Sequence, residues 1–266
     1  MLNKFFVMVD YPYDKYDNAL HKAAAKGDVE ALRRCLTPEA LAACPIDTRD
    51  RDNHAVLHAL CRYEGPQHGE DDRNAEDVEA CVNLLVEAGA DLEARDWLGR
   101  TPLHVVARPP FRAFTNLRTE ATLRLTSLLL RHGADVNSEE EDYDYPTLLH
   151  RAALSDNSSM ATLLVKAGAS VHATNADGDT PLDIAIQRNS RRNRRAIIPI
   201  LLRAGAKISK NHDIWYLQKV IDAGGFNKYA QAHLEKLTKT FEPKFTMLPK
   251  ELVRHVVSFW LHAGYY

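Results

Sequence analysis

Cysteine is scarce in this 266-residue chain: Cys35, Cys44, Cys61 and Cys81 lie in its first third, with no CxxC pair among them. That argues against a disulfide scaffold or a zinc ribbon and points to free, mostly buried thiols in a reducing compartment, cytoplasmic or nuclear. No apolar run approaches the roughly 20 residues that span a bilayer. The opening MLNKFFVMVD has about five consecutive apolar residues, short of a secretory signal core, and reads instead as a segment that docks on the first structural element. A net charge of −2 gives the whole molecule no electrostatic grip on nucleic acid or an acidic membrane. The sequence contains no GxxxxGK[ST], GxSxG or HExxH and no GxGxxG after a strand, so it offers no recognised catalytic or nucleotide-binding motif.

What the chain does contain is internal repetition. Five segments align: NALHKAAA from Asn18, AVLHALCR from Ala55, TPLHVVA from Thr101, PTLLHRAA from Pro146 and TPLDIAI from Thr180. Four end in a common signal: LLVEAGAD from Leu84, LLLRHGAD from Leu128, LLVKAGAS from Leu163 and LLRAGAK from Leu201. In the TPLH version, Thr101 caps a helix and Pro102 takes its first position, where a missing N–H costs nothing. Apolar residues then recur at helical spacing, and a second helix stops at Gly89, Gly133, Gly168 or Gly205, each suited to a left-handed stop. The linker Asp96–Pro102 reads as a tight turn into the next pair. One such helix pair cannot bury its apolar face alone, so neighbours must stack.

These motifs resemble the ankyrin-repeat family over roughly residues 17–209. The resemblance implies an all-α ankyrin-repeat solenoid of about five helix-turn-helix repeats, with projecting β-turn fingers and a protein-binding role. It also implies that His21, His58, His104 and His150 hydrogen-bond the turns between repeats. A zinc site drawn from His54, His58, Cys61 and Cys81 is set aside, because His58 belongs to the repeated motif. No cofactor or metal is expected, and the chain reads as a non-enzyme.

Spacing departs from the plain unit. Equivalent leucines lie 37, 46, 46 and 33 residues apart, counting Leu20, Leu57, Leu103, Leu149 and Leu182. The excess falls in YEGPQHGEDDRNAED and RPPFRAFTNLRTEA, both placed between the two helices of a repeat, with a smaller insertion in QRNSRRNRRA. Insertions gathered on one face often mark a binding face. The expected protein-contact set is Trp97, Leu98 and Arg100 on one turn, Tyr143 and Tyr145 in an acidic turn, Asp177, and the arginine loop Arg191, Arg192, Arg194 and Arg195. LLRHGADVN also resembles the ankyrin segment modified by asparaginyl hydroxylases, which would make Asn137 a modification site.

The repeat signal stops near Ile214. WYLQKVIDAGG reads as a short helix stopped by Gly224 and Gly225, and NKYAQAHLEKLTKTF as a second with Tyr229, Leu234, Leu237 and Phe241 on one face. The last segment, LPKELVRHVVSFW, places Leu248, Pro249, Leu252, Val256, Val257 and Trp260 in a dense apolar stripe. It is either a cap over the final repeat or a docking element. The stripe is similar to a truncated F-box, and the combination of repeats with such a tail is similar to F-box and SOCS-box adaptors of cullin ubiquitin ligases. That resemblance implies a cullin-ligase linker as a partner. The organisation expected is an N-terminal docking segment (1–16), ankyrin repeats (17–209) and a C-terminal helical region (210–266).

Overall fold

The computed structural model describes residues 18–51, 53–62, 74–107, 116–140, 146–189, 197–208, 215–241 and 251–253. Among them the regular structure is helical, with no strand. The chain forms two compact units, residues 1–151 with 166–169 and residues 152–165 with 170–266.

In the first unit, α1 (Ala19–Lys26), α4 (Val56–Cys61) and α6 (Pro102–Ala107) stack as one row. Beside them α2 (Val29–Cys35), α5 (Ala75–Glu87) and α7 (Asn116–Arg131) stack as a second. Capping chemistry sets the starts. Asn18 Oδ1 accepts the His21 N–H at 2.8 Å and Asp28 Oδ1 accepts the Ala31 N–H at 2.9 Å, while Asn74 caps α5 ahead of Glu76 and Asp77. The ends close as the glycines require. Gly89 and Gly133 take φ of 88° and 98°, and Ala90 and Ala134 then donate back to Leu85 and Leu129. Leu20, Leu57, Leu103 and Leu149 are all but fully buried, each contributing about 1.5–3 kcal/mol by leaving water.

Two elements differ from the sequence expectation. The first repeat lacks the Leu-Leu-x-x-Gly-Ala ending, and in its place a short helix, α3 (Pro38–Ala43), follows α2. Thr37 caps it by accepting the Ala40 N–H, and Pro38 sits at its first position. The segment RPPFRAFTNLRTEA, read as an inter-helix insertion, is helical from Asn116 onward. Asn-Leu-Arg-Thr-Glu-Ala holds no breaker, so α7 runs 16 residues where α2 runs 7. The insertion residues 63–73, 108–115 and 190–196 lie outside the described residues, as does the N-terminal segment 1–16.

α8 (Leu148–Ser155) and α9 (Ser158–Lys166) follow, and the division between units passes through them. The second unit then has α10 (Pro181–Asn189), α11 (Ile197–Arg203), α12 (Trp215–Asp222) and α13 (Phe226–Phe241). α10 packs on α11, and α13 packs on both α11 and α12. Gly224 and Gly225 end α12 with φ of 76° and 114°, as their sequence position predicts. Tyr229, Leu234, Leu237 and Phe241 of α13 are half-buried. Among the described residues no helix is long and apolar enough to cross a membrane.

Candidate protein-binding surface

Three turns of the first unit lie between the helix pairs, and each is closed by one main-chain hydrogen bond. Asp50 N–H meets the His54 carbonyl at 3.0 Å, Asp96 N–H the Arg100 carbonyl at 3.0 Å, and Glu140 N–H the Pro146 carbonyl at 2.9 Å. The third turn is longer by two residues. At the base of each sits a carboxylate with almost no exposure. Asp50 Oδ2 takes the His54 Nδ1 proton at 3.1 Å, Asp96 is clamped by Arg100 Nε and Nη2 at 2.8 and 2.6 Å, and Glu140 pairs with Arg151. Asp96 also accepts the N–H groups of Leu98 and Arg100. Burial alone would raise the Asp96 carboxyl, but these Arg100 and Leu98 hydrogen bonds hold it below the ordinary range.

Arginine ties one turn to the next. Arg49 Nη1 donates to the Asn53 carbonyl of its own turn and to the Arg95 carbonyl of the following one, at 3.3 and 3.0 Å. Arg95 Nη1 repeats the pattern, reaching Gly99 O at 2.8 Å and Glu139 O at 2.6 Å. These two residues were missed in the sequence. The signal that marks them is the Arg-Asp pair at 49–50 and 95–96, one residue ahead of each turn.

Behind the turns the repeated histidines are buried, and His21 and His58 bond the turns as the resemblance implies. His21 Nε2 bonds the His54 carbonyl at 3.0 Å and His58 Nε2 the Arg100 carbonyl at 2.8 Å. Thr101 and Thr147 hydroxyls donate to the Nδ1 atoms of His104 and His150 at 2.8 Å. Thr101 therefore holds the histidine ring as well as standing at the helix start. Burial lowers the His21 imidazole and pushes His58 and His104 down to about 4. His104 Nε2 has no partner of normal geometry, the backbone of Ser138 facing it instead.

On this frame Trp97 is 53 % exposed at the tip of the second turn, with Leu98 half-buried beside it. Arg100, expected as a contact residue, is 14 % exposed and committed to Asp96. Tyr143, Tyr145, Arg191, Arg192, Arg194 and Arg195 lie outside the described residues. Asp177 is exposed on the turn of the second unit, its N–H on Asn175 Oδ1 at 3.0 Å. Asn137 is exposed in the first unit, with its amide 3.4 Å from the Gly168 carbonyl. In the tail Leu252 is 51 % exposed and Val253 is buried, while Leu248, Pro249, Val256, Val257 and Trp260 lie outside the described residues. Among the described residues no group of three or more His, Cys, Asp or Glu side chains could hold a metal ion. Cys61 and Cys81 are buried free thiols.

Comparison with known proteins agrees with this geometry. The ankyrin-repeat family pattern matches residues 118–212 in three copies. A transient receptor potential cation channel subfamily A member 1 homolog of Caenorhabditis elegans is 25 % identical over 74 % of this chain and 14 % of its own length. The human fem-1 homolog C is 35 % identical over 36 % of this chain and 15 % of its own. An ankyrin repeat protein of fowlpox virus is 32 % identical over 33 % and 26 %. The chain thus spans between about a seventh and a quarter of these curated relatives. The crystal structure of an ankyrin repeat domain from Acinetobacter baumannii superposes with a TM-score of 0.53 at 28 % identity, covering 71 % of this chain and 81 % of that one. Residues 118–212 are ankyrin repeats, and the chain has the fold of an all-α ankyrin-repeat solenoid.

Proposed function

We propose that the chain is a non-catalytic protein-binding module whose projecting turns in the first unit grip a partner protein, with Trp97 as the apolar anchor. The observation that carries this is a half-exposed tryptophan on a turn fixed from below by Asp96 and Arg100 and from the side by Arg95. An aromatic group held in place before binding loses little freedom on association, and such groups dominate interface energetics. The test is quantitative affinity purification with the intact chain beside Trp97→Ala and Asp177→Ala. Loss of a partner with Trp97→Ala, at unchanged thermal stability, supports the assignment. Full recovery with Trp97→Ala removes it.

A second, finer role is favoured by the tail. Leu252 belongs to the LPKEL segment that resembles a truncated F-box, and it stands exposed while its neighbour Val253 is packed. We propose on this basis that the tail docks a cullin-ligase linker while the repeats hold the target. A version ending at Phe245 separates the readings. Recovery of a cullin or its linker with the full chain alone supports the adaptor role. Equal partner sets, with the shortened chain still folded, leave a plain scaffold whose tail is a cap.

A further inference from the structure

The modest net charge of the chain hides an uneven division. The first unit carries 27 acidic and 19 basic side chains, a net of −8, and the second 9 and 15, a net of +6. Within the second unit a groove of about 530 Å³ runs between the end of α11, α12 and the first turn of α13. Leu202, Ile208, Val220, Ile221 and Phe226 give it apolar walls, and Lys207 and Lys228 complete it, with no carboxylate among the described lining residues. A side-chain carbon added at Gly205 or Gly225 would meet nothing within 4 Å, so the backbone there is open to an incoming chain. Ile221 is 44 % exposed, and the Arg203 guanidinium stands 5.7 Å from the Phe226 ring centre, adding a third cation at this end of the unit. Asp222, the acid closest in sequence to these walls, takes a hydrogen bond from Gln218 at 2.9 Å.

We propose that this groove is a second docking surface, separate from the projecting turns, and that it takes a short acidic segment of a partner protein with an apolar side chain beside its carboxylates. Complementarity of charge selects the occupant. Two lysines flanking exposed aliphatic surface attract a carboxylate and reward an adjacent Leu or Phe, and they repel a basic peptide. A single-stranded nucleic acid would want open aromatic platforms, and Phe226, the one aromatic among the described lining residues, is half-buried and already faced by Arg203.

The test uses the full chain and three fluorescent probes: a peptide alternating glutamate with leucine and phenylalanine, the same peptide with lysine for glutamate, and a single-stranded RNA of equal length. Anisotropy should show binding of the acidic peptide alone, weakening as salt rises. The pair Lys207→Glu with Lys228→Glu should reduce its affinity at least about tenfold, and Ile221→Ser about fivefold. Hydrogen exchange should slow at residues 205–208 and 221–228 when the peptide is bound. Both lysines are exposed, so the fold should survive, and the milder Lys207→Gln with Lys228→Gln gives a graded loss if it does not. Three results would overturn the proposal: no binding, binding indifferent to these substitutions, or equal affinity for the RNA through the same lysines.

Discussion

The turn at Asp96 in the first unit and the turn at Asn175 in the second share a backbone and reverse its chemistry. Asp96 N–H meets the Arg100 carbonyl and Asn175 N–H the Asp179 carbonyl, both at 3.0 Å, with Gly99 and Gly178 left-handed as the fourth residue of each turn. In the first, a buried acid opens the turn and a cation four residues on neutralises it. In the second, the neutral Asn175 amide opens it, accepting the N–H groups of Asp177 and Asp179, and the acid has moved to Asp179, where Gln187 donates to it at 2.7 Å. The helix openings differ in the same sense: His58 and His104 sit behind the first unit's turns, whereas Asp183 takes that place in the second, accepting from Thr180 N–H and Oγ1 at 2.9 and 2.7 Å. The main-chain path and a left-handed fourth residue therefore specify the turn. The side chains decide what breaks it and how it responds to pH.

Removing the buried acid should give the largest effect. Asp96→Ala leaves the Arg100 guanidinium and two backbone N–H groups without their acceptor, and loss of one partner from a buried pair costs about 3–5 kcal/mol. The lower end is expected, since Arg100 can turn toward water. Urea unfolding should register this, with hydrogen exchange locating the loss in residues 84–107. Asp177→Ala on the exposed tip of the other turn should stay within about 0.5 kcal/mol. Equal costs would mean that the buried clamp does not distinguish the two turns.

A pH titration sharpens the same contrast. Burial holds His58 and His104 down to about 4, against about 6.5 in an unfolded chain. The unfolded state therefore takes up protons below about pH 6.5 while the folded state takes them up only below about 4. Stability is fully present above pH 6.5, falls as the pH drops toward 4, and levels off beneath it, by at most about 3 kcal/mol for each ring. Exchange at α4 and α6 should accelerate over this window well before that at α10 and α11, where Asp183 replaces the histidine. Simultaneous loss in both units would point to global acid unfolding instead.

How much of this was legible depended on how local the signal is. The five helix openings and the glycine stops are written within a few residues each, by Thr-Pro-Leu-His and its variants and by Leu-Leu followed, after two or three intervening residues, by Gly-Ala, and the helices appear where those motifs stand. α3 carries an equally local mark, Thr37-Pro38, but it stands outside the repeated motif, so the repeat pattern does not display it. The Arg49 and Arg95 bridges are marked in the sequence only by a repeated Arg-Asp pair, and their role does not show there because each also reaches a carbonyl more than 40 residues away. In sequence Arg100 stands beside Trp97 and Leu98 as a candidate contact residue, but it is committed to Asp96. Its actual task follows from the turn bringing positions 96 and 100 together, a consequence of backbone geometry that composition does not display.

The smallest effect tests the claim that backbone conformation, more than side-chain identity, defines these turns. Asn53 occupies the position of Gly99 and Gly178, and its φ of 59° matches their 70° and 75°. Asn is among the few residues with a side chain that enter this region readily, so Asn53→Gly should shift stability by only a few tenths of a kcal/mol. Any relief of strain there is offset by a floppier unfolded chain and by the weak 3.5 Å contact of the Asn53 amide with the Arg95 carbonyl. The opposite exchange is asymmetric. Gly99→Val forces a β-branched residue to positive φ on a buried site and should cost at least about 1–2 kcal/mol. Thermal unfolding of the two variants decides the matter: if Asn53→Gly is as damaging as Gly99→Val, the Asn53 side chain rather than its left-handed backbone holds the first turn.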